Sequence, residues 1–261
     1  MWTDIVDLRD FYDSGLGQMA RRLLSRRLRQ LWPDTRGMRV LGLGFATPFL
    51  RPFLDGSERV MAVMPPAQGV LRWPADGPNR VMLADETELP LPDRSVDRLI
   101  IVHGLEHTEH MRAMMRECWR VLTDGGRMAI VTPNRRGIWA RMERTPFGTG
   151  RPYSEGQVTR LLRDNMFTPL EVTAALYMPP VRWRMALAWA KGVEDLASRW
   201  RWTNAVAGVL VVEAAKQIYA APHDKVPARR RAYSVISGPF RPATSGRPVR
   251  PAMREGMDGE G

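Results

Sequence analysis

Apolar positions along this chain follow two rhythms. Short runs that are apolar at nearly every position, as buried parallel strands are, occur at 39–43 (RVLGL), 59–66 (RVMAVMPP), 80–84, 97–102 and 127–133 (RMAIVTP). Between them the apolar residues recur at helical spacing. Over 4–32, Leu16, Met19, Ala20, Leu23, Leu24, Leu28 and Leu31 share one side with arginines opposite, and Pro33 and Gly37 end the predicted helix. A short helix is predicted from Pro48, a weak helix and loop in GVLRWPADGPN (69–79), and a helix over 109–121 on Met111, Met114, Met115, Cys118 and Val121. Ser154 is placed to cap a helix in PYSEGQVTRLLRDNMF. A late strand pair, 169–178 and 207–217, flanks a helical stretch rich in Trp and Arg, VRWRMALAWAKGVEDLASRWRW. Strands separated by helices and closed by a strand pair predict an α/β fold, a doubly wound sheet covered on both faces.

From about residue 221 the composition turns to Pro, Arg, Gly and Ser, which bury too little surface to offset chain entropy, so a disordered basic tail is predicted over 221–261. The division expected is therefore an N-terminal helical segment 1–35, a domain 36–220 and that tail. No apolar run reaches the roughly 18 residues that span a bilayer, and the opening MWTDIVDLRD is mixed and acidic, so a cytoplasmic protein is predicted. The single cysteine, Cys118, excludes an internal disulfide and falls on the apolar face of its helix. A formal charge of +11 favours acidic partners, but the arginine clusters at 21–30 and 228–232 have no aromatic stacking pattern beside them, so nucleic acid is not indicated beyond net charge.

Two stretches carry a family resemblance. LADETELPLPDRSVDRLIIVHGLEH (83–107) has an acidic turn, an L-P-x-P-D loop and a strand; ECWRVLTDGGRMAIVTPN (117–134) has an E-x-x-R-V-L-x-x-G-G-R segment and a strand. Their order and spacing resemble the class I S-adenosylmethionine (SAM) dependent methyltransferases, in particular the methyltransferase type 11 group. The resemblance implies a Rossmann-like seven-stranded sheet with an antiparallel last strand, sandwiched by helices, with SAM across the carboxyl ends of the central strands. Laid on the family's pattern, Gly42 stands at the acid before the first glycine loop, and the loop glycines fall at Gly44, Ala46 and Pro48. The acid that ends the second strand and holds the ribose falls at Met64. The cofactor residues so implied are Gly42, Gly44, Phe45, Met64, Asp85, Glu86 and His103, with Asp85 near the adenine amine; Asp85 also reads as an ordinary turn acid.

HGLEH (103–107) matches the H-x-x-E-H of a class of zinc peptidases, but Gly104 directly after a strand predicts a turn and not the single helix that zinc ligation needs. Some small-molecule methyltransferases carry E-x-x-E-H here and use a divalent ion, which His103, Glu106 and His107 partly echo. No metal is assigned. His103 and His107 are the candidate catalytic residues, as proton acceptors near neutral pH, beside the plainer reading of structural or substrate-loop histidines. The segment 134–154 is placed to cover a substrate, and its Arg135, Arg136 and Arg151 read either as contacts to an acidic or phosphorylated acceptor or as solvated side chains.

Three functions follow as expectations. The first is a SAM-dependent methyltransferase acting on a small molecule. The second is a catalytically inactive binding or regulatory protein on the same fold, motivated by Gly42, Ala46, Pro48 and Met64. The third is a basic surface binder using the arginines of 21–29 and the Trp and Arg rich stretch. The sequence does not specify an oligomeric state.

Overall fold

The computed structural model describes residues 3–178 and 207–218; the helical stretch predicted over 181–202 and the tail from 221 lie outside the described residues. Met1–Ala220 forms one compact unit, and the second, Ala221–Gly261, lies outside the described residues. The helices are α1 (Ile5–Asp13), α2 (Gly15–Leu31), α3 (Thr47–Leu50), α4 (Met111–Val121) and α5 (Glu155–Asp164). The strands are β1 (Arg39–Gly44), β2 (Arg59–Met64), β3 (Val81–Leu83), β4 (Val96–Val102), β5 (Leu122–Pro133), β6 (Phe167–Ala175) and β7 (Val209–Lys216). They form one seven-stranded sheet in the order β3-β2-β1-β4-β5-β7-β6. Strands β1 to β5 pair in parallel, and β7 runs antiparallel to both β5 and β6, as the resemblance implied.

The continuous apolar runs are explained by two cores, one on each face of the sheet. Val40, Ile100 and Val211 point into the layer under α1 and α2, while their neighbours Leu41, Leu99 and Val212 point into the layer under α4. Leu8, Leu24 and Leu28 of the N-terminal helices belong to the first of these cores, and Cys118 is buried in the second. Trp32 closes α2 against the sheet by donating from Nε1 to Glu213 Oε1 at 2.8 Å. Among the described residues no helix is long and apolar enough to cross a membrane.

The sequence reading differs from the fold in two places. The helix predicted over 4–32 is two helices. Ser14 is extended (φ −69, ψ 157), its Oγ accepts from Gly17 N at 3.1 Å, and it thereby ends α1 and caps α2. The apolar period runs through the break because both helices lay the same side on the sheet. The weak helix predicted within 69–79 does not form; Pro74, Gly77 and Pro78 interrupt it, and the segment is a loop tied by Arg80 N donating to Trp73 O at 2.8 Å.

The two stretches that carry the resemblance meet in space. Glu117 of α4 accepts from Leu89 N at 2.9 Å and from Arg120 Nη2 at 2.7 Å, and Arg120 donates onward to Leu89 O, Leu91 O and Asp93. The E-x-x-R pair thus clamps the L-P-x-P-D loop, which fixes the approach to β4. The Arg120 guanidinium holds the Glu117 carboxyl below its ordinary range, with Leu89 N adding to the effect against the cost of burial. A carboxyl lowered in the folded state contributes fully above its unfolded pKa and loses that contribution as pH falls through the folded value. Urea midpoints are therefore expected to drop on acidification below the ordinary carboxylate range. Glu117→Gln is expected to cost about 1–2 kcal/mol at neutral pH and to flatten that acid limb. An unchanged acid limb in the variant would remove Glu117 as its source.

Candidate cofactor and acceptor site

The carboxyl ends of β1 and β4 are held unusually close. Gly44, the last residue of β1, has φ +77, and a Cβ there would collide with Val102 O of β4; the next residue, Phe45, donates its N–H to that same carbonyl at 2.9 Å. This is the one loop glycine of the family's pattern that the chain keeps. Gly42 sits one turn of pleat earlier, and the space a side chain would take is filled by Ala46 (2.7 Å) and Leu50 (2.8 Å). No room remains for the family's acid there, and Gly42 serves packing below the loop.

His103 follows β4 directly with φ +49, an uncommon conformation for a residue with a Cβ. Gly104 then opens a tight turn in which its carbonyl accepts from His107 N and Thr108 N. HGLEH is therefore a strand-to-turn segment, as Gly104 predicted, and the turn brings Glu106 back onto His103: Nδ1 lies 3.2 Å from Oε1, with both side chains fully buried. On the other side, Tyr12 of α1 places its hydroxyl 2.8 Å from His103 Nε2. Burial, and secondarily the charge of Glu106, raise the Tyr12 pKa well above its ordinary value, so the phenol stays a donor. With Nδ1–H donating to Glu106, Nε2 is the bare nitrogen that accepts from Tyr12. A carboxylate that fixes the tautomer and leaves Nε2 basic is the arrangement of a general base.

His107 is used differently. It is buried, its Nε2 lies 3.4 Å from Thr3 Oγ1, and its ring backs against Gly150, where a Cβ would come within 2.9 Å of Nδ1. Ligand atoms of His103, Glu106 and His107 lie within 4.8 Å of one another, close enough to face one cation. The same three residues thus form one buried cluster at the turn after β4.

Other residues named from sequence take distinct positions. Met64 ends β2 fully buried; Glu86 is buried and accepts from Thr108 Oγ1 at 3.0 Å, linking the turn after β3 to that after β4. Asp85 is exposed, and its Oδ1 caps the local turn by accepting from Thr87 N (2.7 Å) and Thr87 Oγ1 (2.6 Å), which lowers its pKa. Arg135, Arg136 and Arg151 are exposed. The segment 134–154 packs against the His103 turn: Phe147 is buried with its ring 5.0 Å from that of His103, and Arg151 N donates to Glu106 O at 2.8 Å.

Sequence reasoning missed Tyr12 and Gln68. Gln68, in the loop after β2, donates Nε2 to His103 O at 3.1 Å and accepts nothing at Oε1; Glu106 Oε2 is likewise buried without a partner among the described residues. Neither residue carries a local signal, since Tyr12 sits 91 positions before the histidine it meets. Two orphaned buried acceptors beside the His103 turn suit a ligand bringing positive charge and N–H donors, and SAM has both in its sulfonium and amine. Its ribose finds no carboxylate at Met64. The fit is thus good at the methionyl end and apolar at the ribose.

The chain is similar to known methyltransferases in sequence and in fold. Residues 41–130 match the family described as "Methyltransferase domain". A probable S-adenosylmethionine-dependent methyltransferase of Mycobacterium tuberculosis is 35% identical over 104 residues, 39% of this chain and 38% of that protein. The demethylmenaquinone methyltransferase of Corynebacterium efficiens is 30% identical over 133 residues, 50% of this chain and 56% of that one. The chain thus spans less than two thirds of the length of these relatives. A SAM-dependent methyltransferase from Thermotoga maritima superposes with TM-score 0.57 over 82% of this chain and 96% of its own, at 17% identity, which speaks to the fold. The chain thus resembles methyltransferase domains in sequence over residues 41–130 and shares its fold, a 3-2-1-4-5-7-6 sheet, with solved SAM-dependent methyltransferases.

Proposed function

We propose that the protein transfers a methyl group from SAM to a small-molecule acceptor in the cytoplasm. The observation that carries this reading is the His103 turn: a His–Glu pair at the carboxyl end of β4, with orphaned acceptor oxygens beside it, where an open α/β sheet places its ligand. SAM would supply an electrophilic methyl on a sulfonium, a leaving group that keeps the electron pair of the carbon–sulfur bond. The chain's own residues do the rest. Gly44 and Phe45 would shape the floor under the methionyl part, Met64 would pack against the ribose, Asp85 would serve the adenine amine with Glu86 its neighbour in the turn, and His103 Nε2 would take the proton from the acceptor's nucleophilic atom. Glu106 holds the imidazole in the tautomer that can do so. Orientation supplies most of the acceleration of such an in-line displacement, and the covering segment 134–154 excludes water from it.

The demethylmenaquinone methyltransferase relative supports a small-molecule acceptor. Met64 in place of a ribose-binding acid removes a charged hydrogen bond worth about 1–3 kcal/mol, so SAM affinity is expected to be weaker by up to about a hundredfold than with that acid present. Calorimetric titration with SAM and with S-adenosylhomocysteine tests the cofactor assignment. Saturable binding below about 1 mM is expected, weakened about tenfold in Asp85→Ala through loss of one polar contact. Absence of heat with both ligands up to that concentration would withdraw the methyl-transfer reading.

A further inference from the structure

Beside the His103 turn, separated from it by Tyr12 and Phe45, lies a half-open cleft of about 650 Å³, within the size range of small-molecule sites. It opens between the N-terminal helices, the first loop and the segment after β2 that fails to form a helix. Tyr12, Phe45, Leu54, Leu71 and Trp73 give it apolar walls. Four arginines, Arg9, Arg21, Arg51 and Arg72, and two acids, Asp13 and Asp76, also line it, so the lining is net positive. Two of the arginines are engaged: Arg9 pairs with Asp10 at 2.8 Å, and Arg72 Nη2 donates to Gly77 O at 2.9 Å. The guanidinium groups of Arg21 and Arg51 make no hydrogen bond or ion pair among the described residues, while Arg135, Arg136 and Arg151, suspected from sequence, do not line the cleft.

We propose that this cleft binds the methyl acceptor, and that the acceptor is an amphipathic anion: an aromatic or otherwise flat apolar body against Trp73 and Leu71, and a carboxylate or phosphate held by Arg21 and Arg51. A neutral apolar ligand would leave both guanidinium groups without partners at its edge. A long polyanion would not use the apolar walls. The wall shared with the catalytic turn supplies the connection, because the Tyr12 ring stacks on Phe45 (centroids 5.6 Å apart, 22° between planes) while its hydroxyl meets His103 Nε2 at 2.8 Å. Displacing that one hydroxyl gives an acceptor's nucleophile the partner Tyr12 now has. This assignment rests on the methyl-transfer reading for its catalytic meaning, and on the cleft alone for its ligand class.

The test is calorimetric titration of the full chain with 1-naphthoate, 1-naphthyl phosphate and the neutral naphthalene-1-carboxamide, each with and without saturating SAM. At least one anion is expected to bind saturably, about tenfold or more tighter than the carboxamide, with SAM leaving its affinity unchanged or improved. Arg51→Gln and Arg21→Gln are each expected to weaken the anion by about tenfold, and the double change Arg135→Gln/Arg136→Gln to leave it unaltered. Whichever anion binds tighter separates a carboxylate acceptor from a phosphorylated one. Failure of both anions to bind, equal binding by the cleft variants, or displacement of the anion by SAM would overturn the proposal. SAM titration of the parent chain keeps the two readings apart. SAM binding with no anion binding by the parent removes the cleft alone, whereas anion binding without SAM binding removes the acceptor role and the methyl-transfer reading together.

Discussion

Gly44→Ala is expected to lose about 3 kcal/mol of stability, a fall of roughly 6–12 °C in Tm for a domain of this size. Two penalties coincide there. The backbone at φ +77 is costly for any residue with a Cβ, and the added atom would collide with Val102 O while standing 3.2 Å from His103 O and 3.3 Å from Gly104 N. None of these is the tip of a flexible side chain, so relief requires β1 and β4 to part. That movement breaks the Phe45 N to Val102 O bond and shifts the His103 turn, so SAM binding is expected to fall with stability. Gly125→Ala is the control, because nothing lies within 4 Å of its Cβ position. Thermal unfolding of both variants decides the matter. Equal midpoints for Gly44→Ala and the parent protein would mean that the close crossing of β1 and β4 is not a constraint on the fold.

Glu106→Gln is expected to reduce turnover by about a hundredfold or more while leaving SAM affinity within about threefold of the parent. The substitution preserves size and hydrogen bonding but lets the amide donate to His103 Nδ1, which puts the imidazole proton on Nε2 where a base needs a lone pair. His103→Ala should lose turnover to a similar degree, and Tyr12→Phe should retain it, since Tyr12 occupies the acceptor's place and supplies no proton step. Initial rates of S-adenosylhomocysteine release, measured once an acceptor is in hand, separate these variants. A Glu106→Gln enzyme turning over at the parent rate would reduce the pair to a structural contact, and a Tyr12→Phe enzyme without activity would make the phenol a participant.

The way the two recognisable stretches cooperate explains why the family resemblance was legible. The L-P-x-P-D loop and the E-x-x-R segment are short, local and chemically distinctive, and the Glu117–Arg120 clamp on Leu89, Leu91 and Asp93 is what binds one to the other. The strands were legible for a related reason: burial on both faces demands apolar residues at successive positions, and that demand is written in sequence. The break at Ser14 was less visible because the apolar side of the helix passes through it, although Ser14 and Gly17 are the residues a cap and a close crossing require.

The site was legible only in part. Sequence alone placed Gly44, Met64 and His103 at the carboxyl ends of their strands, because strand order and a family pattern fix where strands end. It also determined that His103 to His107 form a turn, since Gly104 follows a strand. Sequence could not determine what covers that turn or completes it. Tyr12, Gln68 and Phe147 reach His103 from a helix, a loop and a covering segment far apart in the chain, and no local preference encodes such a meeting. The arginines offered a similar lesson, since Arg21 and Arg51 are indistinguishable by composition from the other exposed arginines. Only the packing of α1 and α2 against the first loop gathered them around an apolar cleft, because charge and hydrophobicity converge into a binding site through tertiary proximity.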